Sequence, residues 1–125
     1  MTRRLFSSLF SALVVVPAAV FAAQPAAVGG KWKVNANIAG TASEITCTFA
    51  QKEAELSGTC VGDQGPLTVA GKVDGKTVTW QFTTMWEGQA LTVIYSGTLE
   101  ADKISGGVDV QPIGVSGEFT ATKAN

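Results

Sequence analysis

The sequence predicts an all-β protein, an eight-stranded antiparallel up-and-down (meander) barrel preceded by a signal peptide. Three observations lead to this prediction. Short runs of alternating apolar and polar residues follow one another from Gly30 onward, turn-forming residues separate them, and no segment of helical length has an apolar repeat of 3.6 residues. Eight consecutive strands that each have one apolar face bury those faces most simply when the first strand pairs with the last.

The N-terminal segment has the order of a secretory signal peptide. A basic start at Arg3-Arg4 is followed by an apolar run and then by small residues up to Ala23. The apolar run is shorter than the roughly 20 residues that cross a bilayer as a helix. We therefore predict a cleaved leader over 1–23, no membrane span and a periplasmic or secreted protein. The general secretory route and the twin-arginine route both fit the Arg pair.

The mature chain is predicted to contain a flexible lead-in over 24–29 and one barrel domain over 30–125. The predicted strands are Lys31–Ile38, Glu44–Phe49, Glu55–Val61, Leu67–Val73, Lys76–Thr83, Ala90–Leu99, Lys103–Val110 and Val115–Lys123. Asp74-Gly75 predicts a tight hairpin, because both residues tolerate positive φ.

One parity of the alternation predicts the barrel interior and places six aromatic rings in it. These are Trp32, Phe49, Trp80, Phe82, Tyr95 and Phe119. The same parity carries the glycine of a pattern that occurs five times, namely apolar, small, Gly, any residue, apolar. Its glycines are Gly58, Gly71, Gly97, Gly106 and Gly117. Inward glycines let strands coil sharply beside bulky neighbours; the alternative is that they leave a ligand cavity.

Cys47 and Cys60 are the only cysteines and lie on consecutive predicted strands with the same parity. If Phe49 pairs with Gly58 and Gln51 with Leu56, the two cysteines lie opposite each other. An exported chain meets an oxidising compartment, so we predict a structural disulfide; the alternative is two buried thiols. A redox function would require a C-x-x-C motif, which is absent.

Composition argues against several classes of function. Both Arg lie in the leader, so the mature chain has seven Lys against ten acidic residues and contains no His. The lack of a basic cluster argues against nucleic acid, and the lack of imidazole argues against a zinc site and a His-dependent nucleophile. No acidic residue has the inward parity, so no carboxylate pair faces a common pocket. We predict no catalytic residue, no metal and no cofactor.

The connections predict a difference between the two ends of the barrel. Those at one end are tight and charged, whereas those at the other end are expected to be longer and nearly uncharged. The longer loops are predicted at Ala39–Ala42, Gly62–Pro66, Thr84–Gln89 and Gln111–Gly114. They expose Met85, Trp86 and Ile113, which with Tyr95 on the inner face are the candidate ligand- or partner-binding residues. The alternative is that Trp86 folds over the mouth as a hydrophobic plug.

Gly30-Lys31-Trp32 resembles the G-x-W motif that opens the barrels of the lipocalin-like (calycin) superfamily, which includes lipocalins, fatty-acid-binding proteins and avidins. In that superfamily a basic residue of the last strand packs across the Trp, and Lys123 has the corresponding position here. The resemblance implies a lipocalin- or avidin-like barrel, a structural contact between Lys123 and Trp32, and ligand binding. The chain is similar to small exported bacterial β-barrel proteins with a lipocalin-like core.

These observations favour an exported, non-enzymatic binding module. Its expected partner is a small apolar molecule or an envelope protein, bound at the end that carries Trp86. The alternative is a structural or accessory domain of the cell envelope with a solid core and no small-molecule ligand. A cavity of a few hundred Å³ inside the barrel favours the first, and a filled interior favours the second.

Overall fold

A single sheet closed into a barrel accounts for nearly all of the computed structural model, which describes residues 25–63 and 65–124. Its strands are β1 (Gly30–Ile38), β2 (Thr41–Lys52), β3 (Glu55–Gly62), β4 (Gly65–Asp74), β5 (Thr77–Trp86), β6 (Gln89–Glu100), β7 (Lys103–Gln111) and β8 (Val115–Lys123). Each strand pairs antiparallel with the next, and β1 also pairs with β8. The predicted eight-stranded meander barrel is confirmed.

The predicted signal peptide over 1–23 lies outside the described residues. Within the described part of the chain, no helix has the length and apolar character needed to cross a membrane.

Two strands extend three residues further toward the Trp86 end than predicted, and this shortens the loops there. β2 begins at Thr41 instead of Glu44, and β5 continues to Trp86 instead of ending at Thr83. The backbone ladder continues through these polar or irregular stretches because strand pairing does not require an apolar side chain at every second position. Trp86 pairs with Gln89 across a two-residue turn. The prediction of longer loops at the Trp86 end is therefore wrong.

Two turns at that end have positive φ at both central residues. The angles are 52° and 81° at Ala39-Gly40, and 48° and 78° at Glu87-Gly88. This is the conformation of a type I′ turn, whose twist matches that of the flanking strands. The predicted Asp74-Gly75 hairpin is present but displaced by one residue: Asp74 pairs with Thr77, so Gly75 and Lys76 form the turn.

The predicted inward parity forms the core. All six aromatic residues assigned to it are buried, and no charged side chain is buried among the described residues. Five of the rings form one cluster around Trp80, in which Tyr95 stacks on Trp80 at 5.1 Å and Phe119 meets Trp80 edge-on at 5.2 Å. Phe49 and Phe82 complete the cluster. Aromatic pairs at these separations stabilise a core beyond the area they bury.

The five repeated glycines permit close approach of neighbouring strands. A Cβ on Gly58 would collide with the Thr48 carbonyl oxygen, and a Cβ on Gly117 would collide with that of Asn37. A Cβ on Gly97 would lie 2.8 Å from Cζ of Phe119, so this position also makes room for a ring. These glycines therefore serve the coiling of the strands, as predicted, and the alternative that they leave a ligand cavity is not supported.

The predicted disulfide joins Cys47 and Cys60. The pairing of β2 with β3 has the predicted register, with Phe49 opposite Gly58 and Gln51 opposite Leu56. Both cysteines are fully buried in the barrel interior. The bond thus connects two adjacent strands from the inside.

One end of the barrel is covered by residues 25–29, for which the sequence predicted a flexible lead-in. Val28 in this segment is fully buried, and its carbonyl accepts a hydrogen bond of 2.9 Å from Trp32 Nε1. Gln51 holds the segment on both sides: its Oε1 accepts from the Val28 amide, and its Nε2 donates to the Ala26 carbonyl. We call this the closed end; the other, where Ala39-Gly40 and Glu87-Gly88 turn, is the open end.

Candidate functional site at the open end

A cavity of about 680 Å³ occupies the open end of the barrel. It lies above the aromatic cluster and is lined by residues from all eight strands. Two other depressions, of about 490 and 530 Å³, lie on the outer wall of the sheet, between β1, β2 and β8 and between β4 and β5. Of the three, only the cavity of about 680 Å³ opens onto the interior of the barrel, so it is the candidate site.

The floor of the cavity is apolar and aromatic. It is formed by Phe82 of β5, by Leu91, Val93 and Tyr95 of β6, and by Val110 of β7, all of them buried. Their side chains have the inward parity, so the alternation of each strand turns all five toward the barrel interior. The floor is therefore a preformed surface from which an apolar ligand displaces water.

Tyr95 is the polar residue of the floor. Its side chain is only 2% exposed and is packed against Trp80, Phe82 and Phe119. Desolvation by burial raises the pKa of Tyr95 from 10.0 to about 12. The phenol is therefore neutral at physiological pH and keeps a hydroxyl that can donate or accept one hydrogen bond.

The walls and upper rim explain why this end is not filled. Apart from Trp86, most inward positions nearest the open end carry aliphatic or small residues: Ile38, Ser43, Ile45, Gly62, Gly65, Leu67 and Val115. A Cβ on Gly65 would meet nothing within 4 Å, so this glycine borders open space. The large rings lie lower, and the closed half contains Trp32, Val73 and Ile104, which are all fully buried. The barrel is thus solid at one end and hollow at the other.

The predicted binding residues are distributed unequally around the cavity. Trp86 and Ile113 line its rim and Tyr95 lines its floor, whereas Met85 has the opposite parity and lies on the outer surface. Trp86 is 51% exposed, so it does not seal the mouth as a plug, but it still borders the cavity. Met85 does not belong to the cavity, because adjacent strand residues point to opposite faces.

Sequence reasoning did not single out the wall residues Ile38, Ile45, Leu67 and Val115. Their inward parity at the ends of strands was the available signal. Gln51, which anchors the closed end, was also missed, although it continues the inward parity of Cys47 and Phe49.

The predicted structural pair at the closed end is in place. Lys123 lies over Trp32, with Nζ at 5.2 Å from the ring centroid. Its Nζ also donates a hydrogen bond of 2.7 Å to the Gly29 carbonyl. The residues that close one end of the barrel are therefore separate from those that surround the cavity at the other.

No protein-family model and no curated protein matches this chain. The function is therefore argued from the geometry of the open end.

Proposed function

We propose that the mature chain is an exported, non-enzymatic binding protein that takes a small apolar molecule into the open end of its barrel. The observation that carries this proposal is the cavity of about 680 Å³, which has an apolar floor and a half-exposed Trp86 at its rim. Ligand pockets are concave, mostly apolar and supplied with few polar groups, and the mouths of barrels are frequent places for them. The resemblance of Gly30-Lys31-Trp32 to the opening motif of calycin barrels supports the same proposal.

Export is supported by the sequence of the leader and by the Cys47–Cys60 disulfide. Disulfides persist in oxidising compartments such as the bacterial periplasm or the extracellular space. We therefore propose that the ligand is encountered in the periplasm or outside the cell.

The alternative of a solid-core structural domain describes only the closed half. There Val28 of the covering segment belongs to one buried cluster with Trp32, Leu56 and Val73. A purely structural barrel would gain stability from similar packing at the other end, because a void forfeits dispersion contacts. The hollow open end favours binding.

The test uses the neutral dye N-phenyl-1-naphthylamine, whose fluorescence rises in an apolar site. We expect the mature protein to bind the dye and the variant Val115→Trp, which places an indole in the cavity, to lose binding. Trp86→Ala should weaken binding by about tenfold, because a large aromatic contact is removed. Val61→Ala is the matched control, since Val61 is also 51% exposed but has the outward parity. Binding that survives Val115→Trp, or no binding by the wild type, would overturn the proposal.

A second function, contact with an envelope protein, is favoured by the outer surface around the mouth. Met85 is 59% exposed and, like Val61, points away from the cavity at the open end. Exposed apolar side chains that cluster at one end are typical of interaction surfaces. A photo-crosslinking residue placed at Met85 in the exporting cell should capture a defined partner, and one placed at Lys76 of the closed end should not. Equal capture at both positions would contradict this function.

A further inference from the structure

The charged side chains of the described residues are divided unevenly along the barrel axis. The open half contains five acidic residues and no Lys: Glu44, Asp63, Glu87, Asp109 and Glu118. Six of the seven Lys lie in the closed half, and Lys33 lies near the middle. The other five acidic residues also lie in the closed half. The open end, where the cavity lies, is therefore the negative end of the molecule.

Most acidic residues of the open half have no salt-bridge partner. Within 25–63 and 65–124, the one salt bridge joins Lys33 Nζ to Glu44 Oε1 at 3.4 Å. The other four carboxylates of the open half have no such partner. Two acidic residues line the cavity, Glu44 and Asp63, and of these Asp63 is the one without a salt bridge. Charges of one sign around a concave, low-dielectric mouth raise the local concentration of ligands with the opposite sign.

The aromatic residues of the cavity also favour a positively charged ligand. Trp86 offers a half-exposed indole at the rim, and the faces of aromatic rings attract cations. Tyr95, a polar side chain more than nine-tenths buried, lines the floor and is a neutral phenol. No Lys lines the cavity, so a ligand carboxylate would meet no opposite charge there.

We propose that the ligand is an amphiphilic cation, with an apolar body on the cavity floor and a positively charged group at the rim near Trp86 and Asp63. This inference rests on the proposed function and specifies its ligand class. The open end selects against anions such as fatty acids, because desolvating a carboxylate beside unneutralised acidic residues is unfavourable.

The experiment compares three ligands with the same dodecyl chain: dodecylamine, dodecanol and dodecanoate. Each ligand is titrated, below its micellar concentration, against N-phenyl-1-naphthylamine bound to the mature protein, and displacement of the dye is measured. In water, one exposed charge at ~10 Å changes affinity by about twofold, and several unneutralised charges together by about tenfold. At about 10 mM ionic strength we therefore expect dodecylamine to bind roughly tenfold more tightly than dodecanol, and dodecanoate roughly tenfold more weakly. The differences should shrink at about 150 mM.

Two variants with equal changes in net charge locate the effect. The first neutralises the open end with Asp63→Asn, Glu87→Gln and Asp109→Asn. The second neutralises the closed end with Glu55→Gln, Glu100→Gln and Asp102→Asn. We expect the first to bind the three ligands with nearly equal affinity and the second to keep the wild-type order.

The outcomes separate the two proposals. If no ligand displaces the dye and the dye itself does not bind, the proposed function fails. If the three ligands bind equally to the wild type, or dodecanoate binds most tightly, the inference about charge is overturned while the proposed function stands. Equal loss of selectivity in both variants would also overturn the inference about charge, because the selectivity would then depend on the net charge of the protein and not on the charges at the open end.

Discussion

Lys123 lies across the indole of Trp32, on strands whose pairing places the two residues directly opposite each other. The pair lies on the seam where β8 meets β1 and the sheet closes. The same ammonium donates to the Gly29 carbonyl, so one side chain joins the last strand, the first strand and the segment that covers the closed end. The contact therefore stabilises closure of the barrel at its closed end.

Lys123→Ala should lower the free energy of unfolding by ~1 kcal/mol, because it removes a cation–π contact and a charge-assisted hydrogen bond. Urea denaturation followed by tryptophan fluorescence measures the change. Lys123→Arg should retain most of the stability, and Lys103→Ala, which removes another exposed Lys at the same end, should change it little. A similar loss in the Lys103 variant would show that the contact with Trp32 is not the cause.

Replacing both Cys47 and Cys60 by Ala should lower the melting temperature by more than ~10 °C. The disulfide closes a loop with a sequence separation of 13, which corresponds to ~3 kcal/mol in the chain-entropy model. Thermal melts followed by circular dichroism test this. Reductant should lower the melting temperature of the wild type toward that of the variant and leave the variant unchanged. A wild type and variant that melt together would contradict the prediction.

Tyr95 gives the protein a pH dependence in the alkaline range. Because burial raises the pKa of Tyr95 from 10.0 to about 12, the neutral phenol contributes stability that is complete below about pH 10 and is lost as the pH rises through about 12. The contribution is roughly 2–3 kcal/mol. Tyr95 is the only tyrosine, so the absorbance of tyrosinate reports on it alone. Tyr95→Phe should remove this part of the pH dependence; a titration near the ordinary value in the folded protein would refute the assignment.

Two neighbouring glycines of β7 should differ sharply on substitution. A Cβ on Gly106 would collide with the Ser96 carbonyl and lie 2.5 Å from Cα of Gly97, so Gly106→Ala should cost ~3 kcal/mol or more. A Cβ on Gly107 would find its nearest contact at 3.7 Å, and Gly107→Ala should be nearly neutral. Urea midpoints of the two variants decide the matter, and equal midpoints would show that the close approach of the strands is not limiting.

Much of the fold follows from the alternation of residues, because each strand has a strict period of two and a one-residue slip would expose its apolar face. The position of Cys47 opposite Cys60 could be predicted in this way. The extension of β5 to Trp86 could not be predicted in this way, because Met85 is an apolar residue on the outward parity and so breaks the alternation. Backbone pairing, not side-chain pattern, determines where that strand ends.

The candidate site was predicted only in part. Met85, Trp86 and Ile113 were assigned to one end from the topology, and Tyr95 to the inner face from its parity. Of these four, Trp86, Ile113 and Tyr95 line one cavity, and Met85 does not. Whether that end is hollow depends on how far along the barrel axis the rings of Phe82, Tyr95 and their neighbours reach. This depends on how the side chains of all eight strands pack together, which the alternation of residues along one strand does not give. The cover formed by residues 25–29 was equally hidden, because Gln51 holds it across more than 20 residues of sequence.

Both ends of the described chain, Pro25 and Ala124, leave the barrel on the side away from the mouth, where Ala26 bonds to Gly75 and Ala124 to Lys31. A tether, fusion partner or solid support joined to either terminus would thus hold the molecule by its base, with its aperture facing outward. Immobilised in this orientation, the domain would present every copy of the aperture to the surrounding solution.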